Sequence, residues 1–283
     1  MQVNKISQGK VRDIYEIAGG KLVIVTTDRI SAYDVVLPKP VPGKGRILNA
    51  MSLFWFDYTK DITPNHIISS DICDMPEYFQ NEIYKNRTVM VKKLNMLPFE
   101  FIVRGYMYGH MWEEYIKNPA TYSNNRDGGC KLAEKLDSPR LFASKKMQTG
   151  HDEYVPLDYV ANEIGDELVK NITGICLKLY GICYEYAYKK GIIIADTKFE
   201  LGIDPQGQLV VADEIFTPDS SRFWDIDEYK AGERPKSFDK QLLRDWLSGN
   251  KVRGEMQYDN VPDEIYKKTA EIYAMCLRML TNE

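Results

Sequence analysis

Three side chains capable of ionic chemistry alternate in Asp196-Thr197-Lys198-Phe199-Glu200, directly after the apolar run Ile192-Ile193-Ile194-Ala195. On a strand, residues 196, 198 and 200 share one face, while 197 and 199 point to the other. The turn sequence Asp204-Pro205-Gln206-Gly207 predicts a hairpin whose second strand runs from Leu209 to Ile215. With Pro205-Gln206 as a two-residue loop, paired residue numbers sum to 411. Asp213 then faces Lys198, with Asp196 and Glu200 as diagonal neighbours. Three carboxylates around one lysine call for a shared cation. Oxygen ligands with no adjacent His or Cys suit Mg2+ bridging nucleotide phosphates. Lys198 is then placed to neutralise charge on a transferring phosphoryl group. The competing reading is a solvated hairpin face of alternating charge.

Other segments offer cations for anions. In Gly9-Lys10-Val11-Arg12 the glycine lets backbone amides approach a phosphate, and Lys10 and Arg12 share a strand face. An ordinary exposed hairpin edge is the alternative. Arg104 ends the strand-like Pro98-Phe99-Glu100-Phe101-Ile102-Val103-Arg104-Gly105, a rigid platform for bidentate phosphate or carboxylate binding, or for a structural ion pair. Arg222 follows Asp219-Ser220-Ser221, which reads as an anion cup or a capped helix start. Tyr106 to Trp112 reads as core packing, with His110 either an anion donor or a surface histidine.

These residues need elements to hold them. Val11 to Ile17 and Lys21 to Thr26 flank Gly19-Gly20 as a hairpin. Leu48 to Tyr58 has helical apolar spacing, and Thr88 to Leu94 and Phe99 to Gly105 read as strands interrupted at Met96-Leu97-Pro98. Ser123 to Gly150 reads as a polar insertion or loop. A helical pattern runs from Leu157 to Lys190, with Leu168, Ile172, Ile175, Leu179, Ile182 and Tyr186 along one side and Gly191 as its stop. Helices over Phe238 to Ser248, behind a Ser237 cap, and over Asp263 to Met279 close the chain. Strands followed by helices without βαβ alternation predict an α+β fold, divided near residue 95 into a β-rich N-terminal lobe (1–95) and a larger C-terminal lobe (96–283).

The composition narrows the function classes. With 41 acidic and 37 basic residues the chain has a net charge of -4, which argues against broad nucleic-acid or anionic-membrane binding. The five cysteines show no C-x-x-C pair, and the three scattered histidines cannot assemble a zinc cluster. Reduced thiols, no signal-like N-terminus and no long apolar run predict a cytoplasmic protein.

Seven segments, in order, resemble the phosphoribosylaminoimidazole-succinocarboxamide synthase (SAICAR synthetase) family. They are Gly9 to Tyr15, Thr27 to Asp34, Leu97 to Arg104, His151-Asp152-Glu153, Ile194 to Gly202, Asp213-Glu214 and Thr217 to Trp224. The resemblance implies a two-lobed α+β fold with ATP between the lobes. It also implies a reaction in which ATP phosphorylates the carboxylate of carboxyaminoimidazole ribotide (CAIR) and the amine of L-aspartate displaces the phosphate. Gly9, Lys10 and Arg12 match the family's ATP phosphate loop, and Lys92, Lys93, Leu94 and Met96 its adenine segment. Glu200 and Asp213 match the Mg2+ ligands, with Lys198 directed at the reacting groups. Arg104, Ser221 and Arg222 match the ribotide phosphate cup, while Asp34, Asp152, Asp196 and Asp219 fall near the ribotide and the incoming aspartate. Two departures stand out. Gly109-His110 replaces the usual Gly-Ser, where a bulkier histidine can still donate to the phosphate, with help that weakens as it deprotonates. Glu200-Leu201-Gly202 replaces Glu-Phe-Gly. An inactive nucleotide-binding relative would have lost Lys198, Glu200 or Asp213, and all three are present. A phosphotransferase would need a kinase-like Asp with a nearby Asn, which is not found.

Overall fold

The computed structural model describes residues 2–122, 129–147 and 152–281. Strands β1 (Asn4–Gln8), β2 (Arg12–Ile17) and β3 (Lys21–Thr26) form an antiparallel meander. The β2–β3 turn carries Gly19 and Gly20 at φ 80° and 65°, left-handed conformations that need no Cβ. The expected hairpin is thus extended by β1, which makes Gly9-Lys10-Val11 a turn between two strands. A short finger follows, β4 (Ser31–Ala32) paired with β5 (Val35–Val36), with Tyr33 and Asp34 at its tip. Helix α1 (Lys44–Tyr58) buries Leu48, Met51, Trp55 and Phe56. Strands β6 (Ile67–Ser69) and β7 (Thr88–Lys92) complete a sheet of order β1-β2-β3-β7-β6.

The second sheet starts with β8 (Asn95–Tyr106), which runs unbroken through Leu97-Pro98. Proline lacks only the N–H, and its carbonyl still accepts the Lys146 amide at 3.1 Å; a bulge between Glu200 and Gly202 on the facing strand absorbs the irregularity. After α2 (His110–Lys117) comes β9 (Lys135–Lys145). The stretch expected as a polar loop therefore contains an eleven-residue strand, whose ladder with β8 overrides its polar composition. Strand β10 (Glu153–Val155) leads to α3 (Leu157–Ile164) and α4 (Asp166–Lys189). The single helical run is two helices, because Gly165 at φ 94°, ψ 142° breaks it. The buried face of α4 is Val169, Ile172, Cys176, Leu179, Tyr180, Cys183, Tyr184 and Ala187. That face is rotated from the expected stripe because cysteine and tyrosine serve as core residues here.

Strand β11 (Ile192–Ile203) is central. β8 lies along one edge; the other is shared by β12 (Leu209–Ala212), against Glu200 to Ile203, and β13 (Ser221–Asp225), against Ile192 to Thr197. Ser221-Arg222 thus opens a strand and not a helix. α5 (Gln241–Gly249) and α6 (Asp263–Thr281) finish the chain. α5 starts three residues later than expected, so Ser237 is not its cap; the Ser237 hydroxyl instead bonds Asp239, whose carboxylate accepts the Gln241 amide at 2.7 Å. Finger and helices meet where Ile30, Ala32, Leu37 and Val41 pack with Leu243, Leu247, Val261 and Tyr266.

Alternation on β8 and β11 decides which residues reach the site. Phe99, Phe101, Val103, Phe199 and Leu201 point into the main core against α4, each phenylalanine contributing about 2–3 kcal/mol by burial. Glu100, Ile102, Arg104, Asp196, Lys198 and Glu200 emerge on the opposite face. The two sheets are tied by backbone bonds from His66 N to Val211 O (3.1 Å) and from Val211 N to Pro64 O (3.0 Å).

Candidate active site

Between the sheets lies a cleft of about 1280 Å³. One wall is the β1–β2 turn with Gly9, Lys10 and Arg12; the floor is β8 and β11; the far wall is Pro218 to Arg222 with Lys240 and Arg244. Asp34, at φ 63° on the finger tip, pairs with Lys10 across its mouth.

The β11 hairpin differs from expectation by one residue. Leu201 pairs with Val211 and Glu200 with Ala212, because the turn spans Asp204 to Gln208, with the Asp204 carboxylate accepting the amides of Gln206 and Gln208 at 2.9 Å each. Asp213 therefore does not pair with Lys198. It lies just beyond the end of β12, and strand alternation alone would turn it away from Glu200. Its left-handed backbone (φ 63°) breaks the alternation, and its carboxylate reaches the cleft to accept Arg12 Nη2 at 2.7 Å. The group read from a wrong register is assembled by a local backbone feature instead.

At this end of the floor, Lys198 Nζ donates to Glu100 Oε1 at 2.5 Å and Glu200 Oε1 at 3.0 Å. Lys146 pairs with Glu200, and Arg12 Nη2 also lies 3.2 Å from Glu214 Oε1. Four carboxylates (Glu100, Glu200, Asp213, Glu214) meet three cations (Arg12, Lys146, Lys198). The titration behaviour reflects that excess. Burial, together with Glu200 and Glu214, pushes Asp213 up to about 7 against the pull of Arg12 and Lys198. Burial also pushes Glu200 up, but Lys198, Lys146 and Arg12 outweigh it and hold the carboxyl well below its usual range. Lys198 is drawn up by Glu200, Glu100 and Asp213 despite its burial, and stays an ammonium.

Four residues along β11, the balance reverses. Arg104 Nη1 donates to Asp196 Oδ2 at 3.2 Å, and Arg222 Nη1 pairs with the same oxygen. Two guanidiniums share one carboxylate, beside Ser221, whose hydroxyl bonds Thr197 Oγ1 at 2.7 Å. Gly109 makes this possible: a Cβ there would stand 2.9 Å from Arg222 Nη2.

Of the residues singled out in the sequence, Gly9, Lys10, Arg12, Asp34, Arg104, Asp152, Asp196, Lys198, Glu200, Asp213, Asp219, Ser221 and Arg222 all line this one cleft. Lys92, Lys93, Leu94 and Met96 do not. They lie at the crossover between the sheets, with Leu94 and Met96 packed so closely on Gly202 that a Cβ there would come within 2.8 and 3.1 Å of them. His110 is also outside the lining: its ring stacks on Tyr154 at 3.9 Å, and Nε2 lies 3.3 Å from Glu114 Oε1. The expected donor to an anion is turned to its own helix, and Tyr154 reaches the cleft in its place. Asp219 touches the wall, but its oxygens face Lys44 and Tyr273 at 2.6 and 3.1 Å. His151 lies outside the described residues.

Sequence reasoning passed over Glu100, Lys146, Tyr154, Lys240 and Arg244, all on the cleft wall. Glu100 was within reach, since it alternates with Arg104 and pairs with Glu200 across the sheet. Lys146 and Tyr154 depended on strands β9 and β10, which their polar sequences concealed.

Fold and cleft together describe a two-lobed α+β protein with a charged cleft built around a lysine. Residues 5–261 match the family described as SAICAR synthetase. The chain is 44% identical to the phosphoribosylaminoimidazole-succinocarboxamide synthase of Maridesulfovibrio salexigens, over 99% of this chain and 94% of that one. It is 42% identical to the Schizosaccharomyces pombe protein of the same name, again over 99% and 94%. The structure of the SAICAR synthase from Saccharomyces cerevisiae in complex with SAICAR superimposes with a TM-score of 0.87 at 37% identity, covering 99% of this chain and 95% of that one. The chain belongs to the SAICAR synthetase family.

Proposed function

We propose that this protein is a ligase of purine biosynthesis that joins CAIR to L-aspartate, forming SAICAR with ATP as the energy source. The observation that carries the reading is the face of β11, where Asp196, Lys198 and Glu200 enter one cleft between opposite charge imbalances. The reaction must hold a triphosphate, a ribose phosphate and several carboxylates together, and each needs its own counter-charge.

In this assignment the lobes divide near residue 95. Gly9, Lys10 and Arg12 form the phosphate loop for ATP, and Lys92, Lys93, Leu94 and Met96 the adenine edge. Glu200 and Asp213 would hold Mg2+. The residues fit that ion: their oxygens are hard donors, and the carboxylate excess around them calls for a cation. Among the described residues no group of three or more His, Cys, Asp or Glu side chains forms a closed metal cage. That suits magnesium, which keeps several waters and takes one or two carboxylates plus substrate phosphates. When bound, the ion spreads the charge of the transferring phosphoryl group.

Arg104, Ser221 and Arg222 bind the ribotide phosphate, leaving the CAIR carboxylate over Lys198. Lys198, held as an ammonium, stabilises charge as that carboxylate attacks the terminal phosphoryl group, the bond to ADP breaks and the acyl phosphate forms. The aspartate amine then attacks the acyl carbon, gives up a proton, and inorganic phosphate leaves as the amide forms. Asp34 and Asp152 flank the substrates, with Asp196 holding the two arginines side by side through one shared oxygen. Buried thiols such as Cys176, Cys183 and Cys276 suit the reducing cytoplasm.

ADP release followed with each substrate omitted in turn tests the assignment. Release should require both CAIR and L-aspartate, and Lys198→Ala should lower it about 10³-fold. Turnover without aspartate, or an unchanged rate in the variant, would sink it.

A further inference from the structure

Arg104 and Asp196 form the last pair of the β8–β11 ladder. Just beyond them both strands are irregular. The register of β11 against β13 shifts between Ile194 and Asp196, and that of β8 against β9 shifts between Arg104 and Tyr106. A bulge takes a residue out of the ladder and re-aims its neighbours. The ion pair at the arginine-rich end therefore stands where the strand ladders support it least.

Helix α4 reaches this point from behind the sheet. The Tyr180 hydroxyl donates to Ile194 O at 2.6 Å, two residues before Asp196 on the bulged strand. One turn further along the helix, Tyr184 Oη bonds Tyr106 Oη at 2.8 Å, two residues after Arg104. Gly105 admits the first of these contacts. A Cβ on it would stand 2.1 Å from Tyr180 Oη, 3.0 Å from Cζ and 3.3 Å from Cε1, and no other atom comes nearer. The backbone of Gly105 is not left-handed, so the collision with Tyr180 is what bars a side chain there. Burial, then Tyr184 and Asp196, push the Tyr180 phenol well above its usual range, and it keeps its proton as a donor. Gly105 and Tyr180 also line a cavity of about 610 Å³ on the α4 side. The core behind this end of β8 is thus incompletely filled, and the hydroxyl spans the gap.

The effect reaches the cleft through the backbone. Arg104 Nη1 donates to Asp196 Oδ2 at 3.2 Å and to Tyr108 O at 3.3 Å, while Arg222 pairs with the same carboxylate oxygen. The path of the chain from Gly105 to Tyr108 sets one contact of the guanidinium, and the path from Ile194 to Asp196 sets the other. A fork of donors works only if it is held to within about 0.5 Å.

We propose that Tyr180 is a positioning residue for the Arg104–Asp196–Arg222 end of the site. Its hydroxyl, seated where Gly105 has no Cβ, fixes β8 against β11 at the last pair of their ladder and so tunes the grip on the ribotide phosphate. This rests on the ligase reading above, which gives that end its ligand.

The test is steady-state kinetics of Tyr180→Phe, Gly105→Ala and the double variant in the full chain, with each ligand varied while the others saturate. Loss of the hydroxyl should raise the ribotide KM about three- to tenfold. The KM for ATP and the Mg2+ concentration at half-maximal rate should change less than about twofold. Gly105→Ala, which drives the hydroxyl off Ile194, should raise the ribotide KM roughly 10–100-fold. Combining it with Tyr180→Phe removes the 2.1 Å collision. The double variant should therefore return to within about threefold of Tyr180→Phe alone. Effects that multiply in the double variant, or that move the ribotide, ATP and Mg2+ constants together, would make Tyr180 an ordinary core residue and overturn the proposal. So would an unchanged ribotide KM in Tyr180→Phe. Should Gly105→Ala fail to fold, urea unfolding reads the same rescue: the double variant should regain a cooperative transition, and one that stays unfolded sinks the idea. Turnover of the unmodified enzyme with CAIR and aspartate decides the ligase reading independently of these variants.

Discussion

The two ends of β11 face one cleft with opposite imbalances of charge. Around Glu200, four carboxylates outnumber three cations, while at Asp196 two guanidiniums share a single carboxylate. Four residues of strand separate them, about 13 Å, with Lys198 midway. A flat strand thereby becomes a ruler: one end calls for a cation, the other for an anion, and the lysine stands between them. Rigid β pairing on both edges fixes this spacing more firmly than a loop could.

If the ends are independent, they can be disabled separately. Asp213→Asn should raise the Mg2+ concentration for half-maximal rate roughly 10–100-fold and leave the ribotide KM nearly unchanged. Arg222→Met should do the converse, raising the ribotide KM about 100-fold without altering the Mg2+ requirement. Both are read from rate against each ligand in turn. A variant that moves both quantities would mean the two ends act as one network.

Asp196 and Asp219 invite the same comparison on stability. Each faces two cations, but Asp219 sits on the fully buried Lys44. Burial pushes the Asp219 carboxyl up; Lys44, Lys240 and Tyr273 outweigh it and hold the group below its ordinary range. The unfolded chain therefore binds the proton more readily. The stabilisation is complete above the unfolded carboxylate range, near pH 4, and is lost as pH falls further. Asp219→Asn should cost about 3–5 kcal/mol at pH 7, because it leaves a buried ammonium without its partner. In urea unfolding, the gap to the unmodified chain should narrow below about pH 4. A gap independent of pH would show that the residue contributes shape and not charge.

How much of this was legible in the sequence follows from how local the information is. The face shared by Asp196, Lys198 and Glu200 is a property of strand alternation, and it survives in the structure. Asp213 was chosen through a pairing one residue out of register, because Asp204 closes a longer turn than Pro205-Gln206 suggests. Its return to the site depends on a left-handed backbone that no side-chain pattern announces. Lys44 and Lys240 were invisible for a different reason: a lysine is expected at the surface, and only the fold shows Asp219 and Tyr273 waiting for them. Residue types and alternation report one strand at a time, whereas counter-charges come from segments far apart in the chain.

The smallest expected effect concerns the arginine-rich end alone. His110 stacks on Tyr154 with its ring plane tilted by 4°, and Arg104 Nη2 donates to the Tyr154 hydroxyl at 2.7 Å. The histidine thus acts on Arg104 through the tyrosine. Removing such a stack forfeits about 0.5–1.5 kcal/mol, so His110→Ser should raise the ribotide KM roughly two- to tenfold while kcat and the Mg2+ requirement hold. A large fall in kcat would place the histidine among the reacting groups. An unchanged KM would show that Tyr154 holds Arg104 without it.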